Sequence, residues 1–258
     1  MFERRYGITS NDQSMIADNE GFILMPNPEP QPESPTPPAG PNLVAWYKAD
    51  AQSFSDGDLV TSIVDSSGNG NDLDTHGNPS PSAQEPHFYA NVLNALPVFR
   101  FNDIDAIFRH PVSVADTGYT LAIVVKSTAT LPYSLLAISS ARFEDGNLSL
   151  EMTPSGSNVV FRGYGYGSAA SITVALGTWQ IVTLAFDATE GIPRLRTNDD
   201  FAQGSASPGG VVLSALQLQG NNGLEIAEVF HYSEKLSDAD LSTLRLYLSQ
   251  KYEIPISV

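Results

Sequence analysis

Two glutamates in an apolar stretch, Glu225 and Glu228 of LEIAEVFHY, are the side chains of this sequence best suited to acid–base work. A retaining glycosidase holds two carboxylates about 5 Å apart across the bond it breaks. Side chains of a strand alternate between faces, so acids two residues apart meet and acids three apart do not. Glu225 and Glu228 are three apart, and the position that would match Glu225 is Ala227. A regular strand sends the two glutamates to opposite faces, and the expectation is a protein that is not an enzyme. Gly163-Tyr164-Gly165-Tyr166-Gly167 is no substitute: it lacks the Lys-Ser/Thr end of a phosphate loop and the central serine of a nucleophile elbow. The four histidines, His76, His87, His110 and His231, show no paired metal spacing and read as surface or loop residues. The chain has no cysteine, which removes thiolate ligands, thiol nucleophiles and disulfides together.

Binding chemistry has more material. Asp65, Ser67 and Asn69 stand at alternate positions before Gly70, like the first half of a calcium loop. The bidentate acid such a loop needs at its twelfth position is replaced by His76, so calcium is a weak candidate. A turn held by its own Asp, Ser and Asn side chains is the favoured reading. Asp187, Glu190, Asp199 and Asp200 form a second oxygen-rich group that reads equally well as solvated loop charge. Sugar recognition needs an aromatic ring for the apolar face of a pyranose and planar polar groups for its hydroxyl rim. Tyr164 and Tyr166 sit among glycines that leave rings uncovered, and Asn221 and Asn222 offer amides just before the acidic strand. These four are the ligand-binding candidates, against the alternative that the tyrosines fill the sandwich. Trp46 and Trp179 are assigned to the core.

The elements that must position these residues are mostly strands. Leu43–Lys48, Leu96–Phe101, Tyr119–Lys126, Tyr133–Ser139, Trp179–Asp187, Arg194–Thr197, Val211–Gln219 and Leu224–Tyr232 are apolar runs of strand length. Leu59–Asp65 alternates and leads into the turn Asp65–Asp72. Leu148–Thr153 and Asn158–Tyr164 flank Pro154-Ser155-Gly156-Ser157 as a hairpin. Leu73–Asn94, with Pro79, Pro81 and Pro86, reads as a long loop. One helix closes the chain: Ser237 and Asp240 form a capping box, and Leu241, Leu244, Leu248 and Tyr252 make an apolar face before Pro255. The expected fold is all-β, a two-sheet antiparallel jelly-roll sandwich over residues 43–258 with one C-terminal helix.

The net charge of −16 argues against nucleic acid and anionic membranes, which call for a basic face. No apolar run reaches the length of a membrane span, and Met1–Arg5 leads into polar sequence rather than a signal-peptide core. Residues 26–42 are a proline-rich linker of polyproline II character, a semi-rigid spacer. Residues 1–25 before it read as an extended anchoring arm, with Phe2, Tyr6, Phe22, Ile23, Leu24 and Met25 as contacts that add a strand to a partner's sheet.

Several blocks together carry a resemblance: LVAWYKAD at 43–50, DSSGNGND at 65–72, NVLNALPVFRF at 91–101, WQIVTLAFD at 179–187, and LEIAEVFHYSEKLSDADLSTLRLYLSQKY at 224–252. Over residues 43–252 the chain resembles the laminin-G-like branch of the concanavalin A-like lectin/glucanase superfamily, found in phage structural and bacterial surface proteins. The resemblance implies a jelly roll that binds carbohydrate or a protein surface, sometimes with calcium at its rim, and is usually not catalytic. Glucanases of that superfamily place acids at alternating positions of one strand, and Ala227 breaks that pattern. The resulting expectation is a carbohydrate-binding or adhesion module on a phage virion surface, as a head decoration or fibre protein. Its arm holds a virion protein and its sandwich faces host-surface glycans. A structural virion protein without a ligand and a glycoside hydrolase of the same fold are the alternatives. No heptad run enforces a homotrimer, which such proteins often form, so the oligomeric state stays open.

Overall fold

The structure, a computed structural model, describes residues 15–18, 21–24, 36–40, 42–74, 86–101, 106–116, 118–128, 137–139, 149–165, 167–207, 211–220 and 223–257. Its contacts divide the chain into two compact units, Met1–Ser34 and Pro35–Val258. In the first, β1 (Met15–Asp18) pairs antiparallel with β2 (Gly21–Leu24), Met15 opposite Leu24. Reading this segment as an extended arm did not include that pair. Phe22, Ile23 and Leu24 lie on β2; Phe2, Tyr6 and Met25 are outside the described residues.

The second unit is a sandwich of two antiparallel sheets. Its strands are β3 (Leu43–Lys48), β4 (Ser62–Ile63), β5 (Leu73–Asp74), β6 (His87–Leu93), β7 (Leu96–Phe101), β8 (Ala106–Asp116), β9 (Gly118–Ser127), β10 (Ala137–Ser139) and β11 (Ser149–Ser155). The series continues with β12 (Asn158–Gly165), β13 (Ser168–Ala175), β14 (Gln180–Asp187), β15 (Arg194–Arg196), β16 (Phe201–Gln203), β17 (Val211–Gly220) and β18 (Leu224–Tyr232), and ends in the helix α1 (Asp238–Tyr252). One sheet runs β16-β15-β14-β9-β18-β7-β6, with β3 also paired to β18. The other runs β13-β12-β11-β10-β17-β8-β5-β4.

Burial follows from what covers each face. β9, β14 and β18 are buried almost without interruption because the second sheet covers one side and α1 packs on the other. β13 instead alternates exposed and buried positions, since its outer face meets solvent. Between the sheets lie Phe99, Phe101, Ile123, Val125, Phe161, Leu184, Phe186 and Ile226. His231 joins this interior: it pairs with Ala45 and Leu121, both core residues, and only 2% of it is exposed. Burial lowers its pKa to about 4. The surface placement expected for His231 is therefore corrected.

Two further readings are corrected. The supposed loop 73–94 contains β5 and β6, and Leu59–Asp65 forms only the two-residue strand β4 with an isolated bridge from Leu59 to His87. β6 and β7 are joined by Asn94 and Ala95, both left-handed at φ 47° and 63°, the backbone of a two-residue hairpin turn. Glycine is the usual signal for that turn, and Ala95 hides it. β8 holds Pro111 where β17 shifts register between Leu213 and Ala215, the irregular position a proline needs.

The helix begins as its sequence dictates, Ser237 Oγ accepting from the Asp240 amide at 3.1 Å. It ends at Tyr252, where Glu253 turns left-handed at φ 51°. The inner side buries Leu241, Leu244, Leu248 and Tyr252, together with Arg245. Beneath it Trp46 stacks on Phe230 with ring centroids 5.0 Å apart, and Tyr247 meets both rings edge-on.

Glu228 of β18 stands fully buried at the centre of this layer. The Trp46 indole donates to its Oε1 at 2.5 Å and the Tyr247 hydroxyl at 3.1 Å. Oε2 receives the Lys251 ammonium and the Tyr252 hydroxyl, both at 2.8 Å. Burial pushes the Tyr252 and Tyr247 hydroxyls well above the usual tyrosine range, and the neighbouring carboxylate adds to it. Four donors from β3 and α1 converge on one carboxylate, which fixes the helix against the sheet. Glu228→Ala strands the Trp46, Tyr247 and Tyr252 donors and leaves Lys251 with Asp50 alone, and we expect a loss of about 3–5 kcal/mol, the usual penalty for breaking one side of a buried ion pair. Urea unfolding measures it; a loss under about 1 kcal/mol, the value of an exposed pair, would show that the network is incidental.

Candidate functional site

An open groove of about 650 Å³ lies at one end of the sandwich, within the range of ligand sites. Its walls come from the end of β13, the approach to β14, the loop after β15, the β6–β7 turn and the end of α1. Asn198 pins the loop: its Oδ1 accepts from the Ile181 amide at 2.7 Å and its Nδ2 donates to the Trp179 carbonyl at 2.9 Å. Asn94 donates through its side chain to the Tyr252 carbonyl, so the hairpin turn and the helix end form one wall. The Ser257 hydroxyl donates to Asp199 at 2.9 Å.

Trp179 is half-buried and presents part of its indole to the groove, with the Lys126 ammonium 4.9 Å from the ring centroid. Asp199, Asp200 and Glu253 are exposed along the rim beside Thr173 and Thr178. A ring face bordered by carboxylates and hydroxyls offers apolar contact and hydrogen-bond acceptors together. That suits a neutral, hydroxyl-rich ligand and disfavours an anion, which the three acids would repel.

The residues expected from sequence are dispersed. Tyr164 is half-buried on β12, away from the groove lining; its carbonyl accepts from the Tyr119 hydroxyl at 2.5 Å. Burial, and then Glu151, raise the pKa of its own hydroxyl. Tyr166, Asn221 and Asn222 lie outside the described residues. Of the second oxygen-rich group, Asp187 caps the amides of Thr189 and Glu190. Glu190 pairs with Lys235 and Arg194, whose hydrogen bonds hold its carboxyl below the usual range. Only Asp199 and Asp200 reach the groove. Trp179 lines that groove as well as packing on the layer beneath the helix. The signal for it was position: it stands in the turn just before β14, after Gly177 and Thr178.

Glu225 and Glu228 are also rearranged. Ile226 pairs with Val125 and Glu228 with Val124, so Ala227 is an extra residue in β18. This bulge turns both glutamates to one face, opposite Lys126 and Val124, and overturns the argument from alternation. Burial and partners withhold them from chemistry instead. Glu225 is 5% exposed and clasped by Arg100 and Lys126, each at 2.5 Å. Glu228 is closed in by its four donors.

The Asp65 turn is likewise occupied. Asp65 Oδ1 accepts from the Trp46 and Ser67 amides at 2.9 and 2.8 Å, and Oδ2 from the Ser67 hydroxyl and the Asn71 amide at 2.7 and 3.1 Å. The Asn69 side chain donates to the Leu43 carbonyl at 2.6 Å. With those oxygens filled by N–H and O–H donors, Asp65, Ser67 and Asn69 form a self-capped turn rather than a calcium site. Asp65→Ala should lower stability by about 2–3 kcal/mol through orphaned amides. Thermal melts of the unmodified protein should not change with calcium or a chelator; a calcium-dependent midpoint would restore the metal reading.

No protein-family model and no curated protein matches the chain. Solved structures do resemble it. The binding domain of botulinum neurotoxin serotype D superposes with a TM-score of 0.54 at 12% identity, over 81% of this chain and 51% of that one. A botulinum neurotoxin type C structure, from work on cell entry dependent on two ganglioside molecules, gives 0.54 at 13%, over 82% and 52%. Trypanosoma rangeli sialidase in complex with sialic acid gives 0.56 at 13%, over 93% and 36%. The chain thus spans about half the length of the toxin domains. At these identities the likeness establishes the fold alone, an antiparallel β-sandwich. Among the described residues no helix is long and apolar enough to cross a membrane.

Proposed function

We propose that the sandwich is a non-catalytic carbohydrate-binding module of the laminin-G-like kind, and that the groove beside Trp179 is its ligand site. The observation that carries this is the combination of a half-buried tryptophan in the lining with an exposed rim of acids and threonines in one open groove. The indole takes the apolar face of a sugar ring, and Asp199, Asp200 and Glu253 accept from its hydroxyls. The toxin structure comes from work on cell entry dependent on gangliosides and the sialidase holds sialic acid, which supports carbohydrate as the broad class, while the neutral preference is read from this groove's own acidic rim. Glu225 and Glu228, the two acids of the central strand, are locked in ion pairs and hydrogen bonds away from the groove, which supports a binding role over hydrolysis.

Trp179→Ala should weaken binding to neutral glycans at least about tenfold, the effect of losing one aromatic platform, with an unchanged circular dichroism spectrum. A glycan array followed by calorimetry reads this. Equal binding by the variant sinks the assignment of the groove, and no ligand at millimolar concentration sinks the carbohydrate reading.

Display on a virion, as a decoration or fibre protein held through residues 1–25, is the second part of the proposal. The proline-rich stretch supports it, because the compact units divide inside that stretch at Ser34. Deleting residues 1–25 should abolish incorporation into a particle and leave the sandwich folded. Unchanged incorporation removes the anchor role.

A further inference from the structure

The chain carries 29 acidic and 13 basic residues, so its cations have ample choice of carboxylate. Arg100, Lys126, Arg194, Lys235 and Lys251 each take one. Among the described residues Lys48, Arg162, Arg196 and Arg245 lie outside ion-pair distance of an acid, and of these only Arg245 is buried. Arg196 and Arg245 line one small cavity of about 290 Å³ between α1, β15 and the tail after the helix. Arg245 is 7% exposed; one terminal nitrogen donates to the Thr197 and Asn198 carbonyls at 2.7 and 3.1 Å, and its buried Nε has no partner. Arg196 is half-buried and stacks 4.5 Å from the ring of Phe201, itself 47% exposed.

Burial lowers the pKa of Arg245, repulsion from Arg196 adds to it, and Asp199, too far for an ion pair, opposes both in part. An anion between them relieves both effects. The planar guanidinium fork matches a carboxylate in two-point contact. Leu241, Leu246 and Ile256 make the rest of the wall apolar, and Ser242 brings a hydroxyl. The cavity is larger than a bare inorganic anion needs and close to the lower end of ligand-site volumes, which is the scale of one sugar ring. Asp238 also lines it, a single acid against two arginines.

We infer that the cavity between Arg196 and Arg245 is a second binding site, taking a monosaccharide unit that bears a carboxylate. The site is separate from the Trp179 groove, whose rim is acidic, and it does not depend on the groove being correct. The two would read different parts of a mixed glycan, neutral in one and acidic in the other.

The test is a nitrogen-15 NMR titration of the full chain at low salt with N-acetylneuraminic acid and glucuronic acid, each against its methyl ester. The expected result is shifts at Ser242 and Leu246 with the acids, and binding at least about tenfold weaker for the neutral esters. Arg196→Gln, at a side chain that makes no hydrogen bond among the described residues, should bring the acids down to the level of the esters without changing the melting temperature. Arg196→Lys should recover part of the loss through charge alone. In the Trp179→Ala protein the acid-dependent shifts should persist, which separates failure of this site from failure of the groove. The inference is overturned if acid and ester bind alike, if Arg196→Gln binds the acids as before, if neither acid produces shifts, or if inorganic phosphate binds as tightly as the acids.

Discussion

A single buried carboxylate joins the layers of this protein. Moving Glu228 from water into an apolar layer is expensive, and only a full set of donors compensates. Trp46 supplies one from β3, and Tyr247, Lys251 and Tyr252 supply three from α1. Lys251 also reaches Asp50, 3.0 Å away, which extends the network toward the start of the sandwich. The aromatic stack of Trp46, Phe230 and Tyr247 excludes water around these bonds, and dryness makes each of them stronger. The groove inherits its rigidity from the same arrangement. Tyr252 bonds Glu228 through its hydroxyl and Asn94 through its carbonyl, so the helix end that forms one groove wall is anchored at the hub.

How much of this was legible in the sequence depended on whether a local pattern had a local cause. β3, β7 and β18 were readable to the residue because their apolar runs are bounded by polar turns, and α1 because Ser237, Asp240 and four spaced apolar residues specify it. The Asp65 turn was readable for the same reason: three of the four hydrogen bonds to the Asp65 carboxylate come from Ser67 and Asn71 within it. β6 was not, since Pro86 and the left-handed Asn91 (φ 56°) disguise it as loop. The bulge at Ala227 was invisible because it arises from pairing with β9, more than a hundred residues earlier. Arg245 and Trp179 had the same difficulty. An arginine inside an apolar helix face and a tryptophan beside a strand take their meaning from Thr197, Asn198 and Asp200, which only the fold brings near.

The likeness to toxin binding domains and to a sialidase is one of fold, and a fold of this kind does not by itself say where a site lies. The described surface has one groove bordered by acids and one cavity bordered by arginines, against a strongly negative background. That background favours neutral ligands wherever no local cation intervenes, and the paired arginines are the local exception.

The extra residue in β18 has a consequence for how such a chain can change over generations. A regularly paired strand that gains or loses one residue reverses which side every later side chain faces. Ala227 is the unpaired member of a bulge, so removing it would leave Glu228 opposite Val124, with Glu228, Phe230 and Tyr232 still under the helix and Val229 and His231 still inside. The same deletion at a regularly paired position of β18 would turn every later side chain to the wrong side and require new partners for each. One residue of this strand can therefore be gained or lost in a single step, while the rest of its length is held by its pairing.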